Sequence, residues 1–125
     1  MGQAMPAARP VVLVVEDEPI LRIDAVDLVE DAGFEAIEAA GADEAVRILE
    51  SRPDIRIVFT DIDMPGGMDG LRLAAAIRNR WPPIEIIITS GKRHPRADEL
   101  PARGVFFSKP YSREKVVDVM RRMAS

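Results

Sequence analysis

Five residues of this sequence are the ones most able to do chemistry together: Glu16 and Asp17, Asp61, Thr89 and Lys109. If the fold gathers Glu16, Asp17 and Asp61, their charges repel unless some keep a proton or a cation holds them. A cation is the simpler solution. Hard carboxylate oxygens, few in number and leaving room for water and a phosphate, suit Mg2+, with Mn2+ a possible substitute, better than zinc or copper. The usual partners of those softer metals are scarce, since the chain has no cysteine and a single histidine, His94, between Arg93 and Pro95. Once such an ion offsets the local charge, the Asp61 carboxylate can attack phosphorus and form an acyl phosphate. The equatorial oxygens then need partners: Lys109 can supply positive charge, and the Thr89 hydroxyl and the backbone N–H groups after Asp61 can donate hydrogen bonds.

These side chains can meet only if the segments that carry them deliver them to one edge. Residues 11–15 are an unbroken apolar run that stops at Glu16-Asp17-Glu18-Pro19, the pattern of a strand buried on both faces. Pro19 suits the first turn of a helix and Gly33 its left-handed stop, and between them Ile20, Ile23, Val26, Leu28 and Val29 recur at near-helical spacing. Residues 34–39 alternate apolar with acidic side chains and read as a short strand. A helix follows from about Ala42, with Ala45, Val46, Ile48 and Leu49 facing inward, and Pro53-Asp54 breaks the chain after it. Residues 55–60 form a third strand that ends at Asp61, and the loop 64–70 leads into a helix over 71–80.

Trp81-Pro82-Pro83 ends that helix, because a proline pair offers no backbone donors. Residues 84–89 make the fourth strand, closed by Ser90-Gly91. In the stretch 92–103, Pro95 and Pro101 leave room only for a short helical piece around 96–100. Residues 105–108 are the last strand, and 113–123 a final amphipathic helix carrying Val116, Val117, Val119, Met120 and Met123. Five strands alternating with helices imply an α/β fold, a doubly wound five-stranded parallel sheet with helices on both faces. Ligands of such sheets bind beyond the carboxyl ends of the strands. Glu16 and Asp17, Asp61, Thr89 and Lys109 all fall at such ends, so four strand ends converge on one edge.

Composition narrows the function classes. With 125 residues and 47% apolar side chains, one core is the default, spanning residues 10–125, and the Ala- and Pro-rich stretch 1–9 reads as a loose tail. A net charge of −4 and a pI near 5.0 argue against charge-driven binding to nucleic acid. No apolar run is long enough for a membrane span or a signal peptide, and the lack of cysteine fits a reducing cytosol. The expectation is a soluble, cytoplasmic protein.

The Val-Glu-Asp-Glu-Pro run after the first strand, Asp61 with Met64-Pro65 and Met68-Asp69-Gly70, Thr89-Ser90, and Phe107-Ser108-Lys109-Pro110 together resemble the receiver domain of two-component response regulators. The likeness covers nearly the whole chain from Pro10. Its specificity lies in the combination, with successive separations of 44, 28 and 20 residues between Asp17, Asp61, Thr89 and Lys109. The resemblance implies a CheY-like, flavodoxin-like sheet of strand order 2-1-3-4-5. It also implies that Asp61 is the phosphoacceptor and Asp17 the main metal carboxylate, with Glu16 assisting and the Asp63 backbone carbonyl as a further ligand. Thr89 is then the switch hydroxyl, Lys109 the lysine on the phosphoryl group, Phe106 the rotating aromatic, and Pro110 the residue after a cis peptide. The implied partners are a sensor histidine kinase or phosphotransfer protein and a downstream protein, with the domain a monomer or weak dimer. The implied role is a phosphorylation switch, not a classed enzyme, that catalyses its own phosphorylation, with its own dephosphorylation a further activity the resemblance allows.

Three departures stand out. The loop Pro65-Gly66-Gly67-Met68 is one residue longer than the usual pattern, prolines interrupt the fourth helix region, and no effector domain follows the last helix, so output is expected to go to a partner. Taken singly, several residues have plainer readings: Glu18 as a charge favouring a helix N-terminus, Lys109 as a surface lysine, Thr89 as a strand end, Phe106 as core, and His94 as a solvated side chain. The main rival function is a haloacid-dehalogenase-like phosphatase, with Asp61 as nucleophile and Asp63 as acid. It normally carries that motif near the chain start and without proline at position 65. A flavin or nucleotide binder of like topology is opposed by Glu16-Asp17-Glu18, which would repel a phosphate.

Overall fold

A computed structural model describes residues 9–64 and 68–125. The tail expected at 1–9 lies outside the described residues except for Arg9, and so do Pro65, Gly66 and Gly67 of the lengthened loop. In chain order the elements are β1 (Val11–Val15), α1 (Pro19–Asp31), β2 (Glu35–Ala39), α2 (Ala42–Ser51), β3 (Ile55–Asp61), α3 (Gly70–Arg80), β4 (Glu85–Ser90), a 3-10 turn (Ala97–Glu99), β5 (Gly104–Ser108) and α4 (Arg113–Ala124). The strands pair in parallel in the order β2-β1-β3-β4-β5, the expected topology.

Strand alternation divides the core into two layers. Val12, Val14, Ile57, Phe59 and Ile87 face α1 and α4, meeting Ala25, Leu28, Val29, Val116 and Met120. Leu13, Val15, Val58, Ile86 and Ile88 face α2 and α3, meeting Ala45, Leu49, Leu73, Ala74 and Ile77. β1 is buried at every position because helices cover both of its faces and strands flank both of its edges. A register irregularity opposite Val11 and Val12 puts Ile55 and Val58 on one face and Ile57 on the other.

Helix α1 departs from its apolar pattern. Leu28 and Val29 are buried with Ala25, but Ile20 and Ile23 are 73% and 68% exposed. At about 100° per residue, Ile20 and Ile23 lie roughly 130° and 170° away from the direction set by Ala25, Leu28 and Val29. A straight helix packed on one face of the sheet cannot turn both ends of this pattern toward it. The helix starts with Pro19 and is followed by Gly33 at φ +96°, as the start and stop residues imply.

Two other helix starts rest on side-chain caps: Asp69 accepts from the Arg72 N–H at 2.9 Å and Ser112 from the Lys115 N–H at 3.3 Å. Gly70 opens α3 where the chain passes so close to β3 that a Cβ would meet Asp61 backbone atoms. The proline-interrupted stretch yields only the 3-10 turn, and Leu100 packs on the α2/α3 core. Trp81 caps α3 with the Arg80 guanidinium 4.3 Å above its ring. No helix among the described residues is long and apolar enough to cross a membrane.

Candidate functional site

The carboxyl ends of β1, β3, β4 and β5 meet at one edge of the sheet, and parallel register decides what they present there. Asp61 pairs with Thr89, the residue beside it on β4, and the Ile62 N–H donates to the Thr89 carbonyl at 2.9 Å. Val15 is the last residue of β1, and the following Glu16 N–H donates to the Ala39 carbonyl at 3.0 Å, which keeps Glu16 at the edge. Lys109 follows β5, with its N–H donating to the Ser90 carbonyl at 2.9 Å, and the Lys109–Pro110 peptide is cis, as expected.

Glu16, Asp17 and Asp61 each offer a carboxylate oxygen within 4.8 Å of the others. Lys109 Nζ lies 3.1 Å from Glu16 Oε1 and 3.3 Å from Asp61 Oδ2. Glu16 and Asp61 are 5% and 6% exposed, so two acids and a lysine sit at a largely dry edge. Asp61 Oδ1 is buried and accepts no hydrogen bond of normal geometry. A buried carboxylate oxygen without a partner is costly unless a cation or a donor meets it.

The electrostatics follow. Burial pushes the Asp61 carboxyl above its ordinary range, opposed by the charge and hydrogen bond of Lys109 and by the Asp63 N–H. Burial likewise raises Glu16, against the Glu18 N–H, with the Asp61 charge adding to the rise and Lys109 opposing it. Burial works to lower Lys109, but Asp61 and Glu16 outweigh it, so the ammonium is held above its usual value. A single ammonium is therefore held charged by two acids whose own carboxyls burial still keeps above their ordinary range.

Thr89, 3% exposed, lines a cavity of about 420 Å3 together with Asp61, Glu16, Val14, Phe59, Lys109 and Tyr111. The cavity runs between α1 and the chain at 109–113. Burial raises the Tyr111 hydroxyl to about 12, and its ring meets Phe59 at 5.9 Å.

The remaining candidates sit elsewhere. The Asp63 carboxylate is not in the acidic cluster; its Oδ2 accepts from the Ser90 hydroxyl at 2.7 Å. Phe106 pairs in register with Ile88, packs on the α2/α3 core and lies edge-on to exposed His94 at 6.2 Å, whereas Phe107 is the register partner of Thr89. The backbone donors expected after Asp61 lie partly in the stretch 65–67, outside the described residues.

Two contributors were not singled out from sequence. Arg22 donates to the Glu16 carbonyl at 2.9 Å and to Glu38 at 3.0 Å, clamping the turn that carries the acids. Its one sequence signal is that it is the only basic residue of α1. Gly70, named from sequence only as part of a motif and given no role, is the other, since its lack of a side chain lets α3 approach the Asp61 backbone.

Comparison with known proteins agrees with this geometry. Residues 12–121 match the family model of the response regulator receiver domain. The chain is 34% identical over 116 residues, 90% of its length, to the sensor kinase CckA of Brucella abortus. It spans only 12% to 24% of the length of the first curated relatives it matches. The crystal structure of a response regulator receiver protein from Pseudomonas putida is 31% identical, with a TM-score of 0.83 over 94% of this chain and 99% of that one. That of the response regulator protein TrrA from Thermotoga maritima, in complex with Mg(2+)-BeF, is 26% identical, with a TM-score of 0.79 over 90% and 97%. With a family match over nearly all its length and the topology in place, the chain belongs to the response regulator receiver domain family, the signalling switches of two-component systems.

Proposed function

We propose that the protein accepts a phosphoryl group on Asp61 in a Mg2+-dependent reaction, from a sensor histidine kinase or phosphotransfer protein, and passes the change to a downstream protein through altered contacts. The observation that carries this reading is the buried, unpartnered Asp61 Oδ1 inside a cluster of three carboxylates that one lysine cannot neutralise. Such a donor set, all oxygen and one side open to a cavity, fits Mg2+. Glu16, Asp17 and Asp61 would hold the ion, with the Asp63 backbone carbonyl a further ligand on the strength of the family resemblance. Bound there, the ion would offset the carboxylate charge and withdraw charge from the phosphoryl oxygens. The complex of TrrA with Mg(2+)-BeF supports the same assignment for this relative.

The chain's own residues do the rest. Asp61 forms the bond to phosphorus while the donor group leaves with its electron pair, so no side chain of this protein needs to supply or remove a proton at the nucleophile. Lys109, already 3.3 Å from Asp61 Oδ2, stays within reach of an oxygen of the transferred group. Thr89, beside Asp61 in register, turns its hydroxyl toward that group, and the rearrangement passes along β4 and β5 to Phe106 and the surface around His94.

The phosphatase alternative needs Asp63 as an acid at the reacting centre, but that carboxylate is engaged with Ser90. Incubation with acetyl phosphate and Mg2+ followed by intact-mass measurement tests the proposal. One added phosphoryl group, abolished by Asp61→Asn or by chelator, is expected. No added mass, or mass that survives Asp61→Asn, refutes it, and multiple turnover of a generic phosphate ester points to the phosphatase.

A further inference from the structure

The Ser90 hydroxyl makes three hydrogen bonds in a position with no exposure to solvent. It donates to Asp63 Oδ2 at 2.7 Å and accepts from the backbone N–H groups of Lys92 at 3.1 Å and Arg93 at 2.9 Å. A single oxygen thus joins the chain just past Asp61 to the chain just past β4. A second tie runs parallel to it: Arg93 donates to Asp69 Oδ2 at 3.1 Å, while Asp69 Oδ1 caps α3. Ile62, Asp63, Met64, Asp69, Lys92 and Arg93 line one cavity between the two strands' outgoing chains.

Strand β4 does not need this hydroxyl. The Ser90 carbonyl already accepts from the Lys109 N–H, and its side chain points to the face opposite Thr89. A buried polar hub of this kind is strong when complete and costly when one member is lost. Its members are the residue two places beyond the phosphoacceptor and the start of the exposed basic segment Lys92, Arg93, His94 and Arg96.

The geometry points to Ser90 as a positioning residue that couples the cation site to the segment 91–96. This rests on the proposed Mg2+ role for Glu16, Asp17 and Asp61 and for the Asp63 backbone carbonyl. An ion that fixes the backbone at residue 63 leaves the Asp63 side chain less freedom to lose on meeting Ser90, and a completed hub orders the amides of Lys92 and Arg93. Coupling is reciprocal, so breaking the hub weakens cation binding by the factor with which the cation orders the segment.

The test is an NMR titration of the full chain with Mg2+ alone. In the wild type, the amides of Lys92 and Arg93 are expected to shift with the same midpoint as those of Asp17 and Asp61. Ser90→Ala is expected to uncouple the two sets and weaken Mg2+ binding about fivefold, the lower end of common coupling energies. Asp63→Ala and Asp63→Asn separate a positioning role from charge: both lose the carboxylate charge, but only the asparagine keeps an oxygen for Ser90. Responses at Lys92 and Arg93 that persist in Asp63→Asn and vanish in Asp63→Ala support the inference. Equal behaviour of these two variants, or silent Lys92 and Arg93 amides while Asp17 and Asp61 titrate, overturns it alone. Silence at Asp17 and Asp61 in the wild type overturns the cation site and this inference together.

Discussion

Asp61→Asn is expected to stabilise the protein in the absence of divalent ions while abolishing its phosphorylation. At an effective dielectric constant of about 20, charges 4.8 Å apart repel by about 3.5 kcal/mol, the size of the term between Asp61 and Glu16. Asp17 is more exposed and adds less. Lys109, 3.3 Å from Asp61 Oδ2, returns about 5 kcal/mol. These terms nearly cancel, so the sign is decided by the cost of burying a charged oxygen that has no hydrogen-bond partner. An amide of the same shape carries no charge and escapes most of that cost, and we expect a gain of about 1–2 kcal/mol, or a rise in Tm of about 4–8 °C for a domain of this size.

The pH dependence checks the cause. The folded state holds the Asp61 proton more tightly than the unfolded chain does, so wild-type stability from this group falls as pH rises from the unfolded value of about 3.9 through the raised folded value. The advantage of Asp61→Asn should therefore be full at pH 7, shrink as pH falls through that window and vanish near the unfolded value. Urea unfolding in EDTA at pH 7 and at pH 4, repeated at pH 7 with saturating Mg2+, measures it. Destabilisation at pH 7 in EDTA, or a gain that neither acid nor Mg2+ reduces, refutes the reasoning.

Other expectations come from the same geometry. Lys109→Met removes an ammonium that competes for the acids, so Mg2+ should bind about tenfold more tightly at pH 8, by calorimetric titration, while phosphorylation is lost. Because Glu16 and Asp61 hold their protons above the ordinary carboxylate range, Mg2+ affinity should fall as pH is lowered through the raised window and be flat above it. A pH-independent affinity between pH 4 and pH 7 would contradict this. Gly70→Ala puts a Cβ against the Asp61 carbonyl oxygen, 2.7 Å from its carbon and 2.8 Å from Ile62 Cα. Backbone on both sides cannot yield, so urea unfolding should show a loss of about 3 kcal/mol, with Asp61 displaced and phosphorylation impaired.

The order of strands and helices was legible in the sequence because buried parallel strands are short apolar runs and their ends are marked by acids, prolines and glycines. The run before Glu16, the one before Asp61 and the one before Thr89 each fell within a residue or so of the observed strands. The residue types at four strand ends were likewise enough to anticipate an edge rich in carboxylate oxygens, where Glu16, Asp17 and Asp61 do come together beside Lys109. Which face each side chain takes was not legible where the pattern is ambiguous. Ile20 and Ile23 are apolar and spaced three apart, yet they face solvent, because the side of α1 that packs on the sheet is the one carrying Ala25, Leu28 and Val29. Asp63 lies past the end of β3, and only the fold shows that its carboxylate accepts from the Ser90 hydroxyl outside the acidic cluster. Arg22 and Gly70 matter only through contacts with distant backbone, at the Glu16 carbonyl and the Asp61 carbonyl. Local sequence sets periodicity and chemistry, but a contact across the fold depends on two stretches of chain at once, and only the packed tertiary structure decides it.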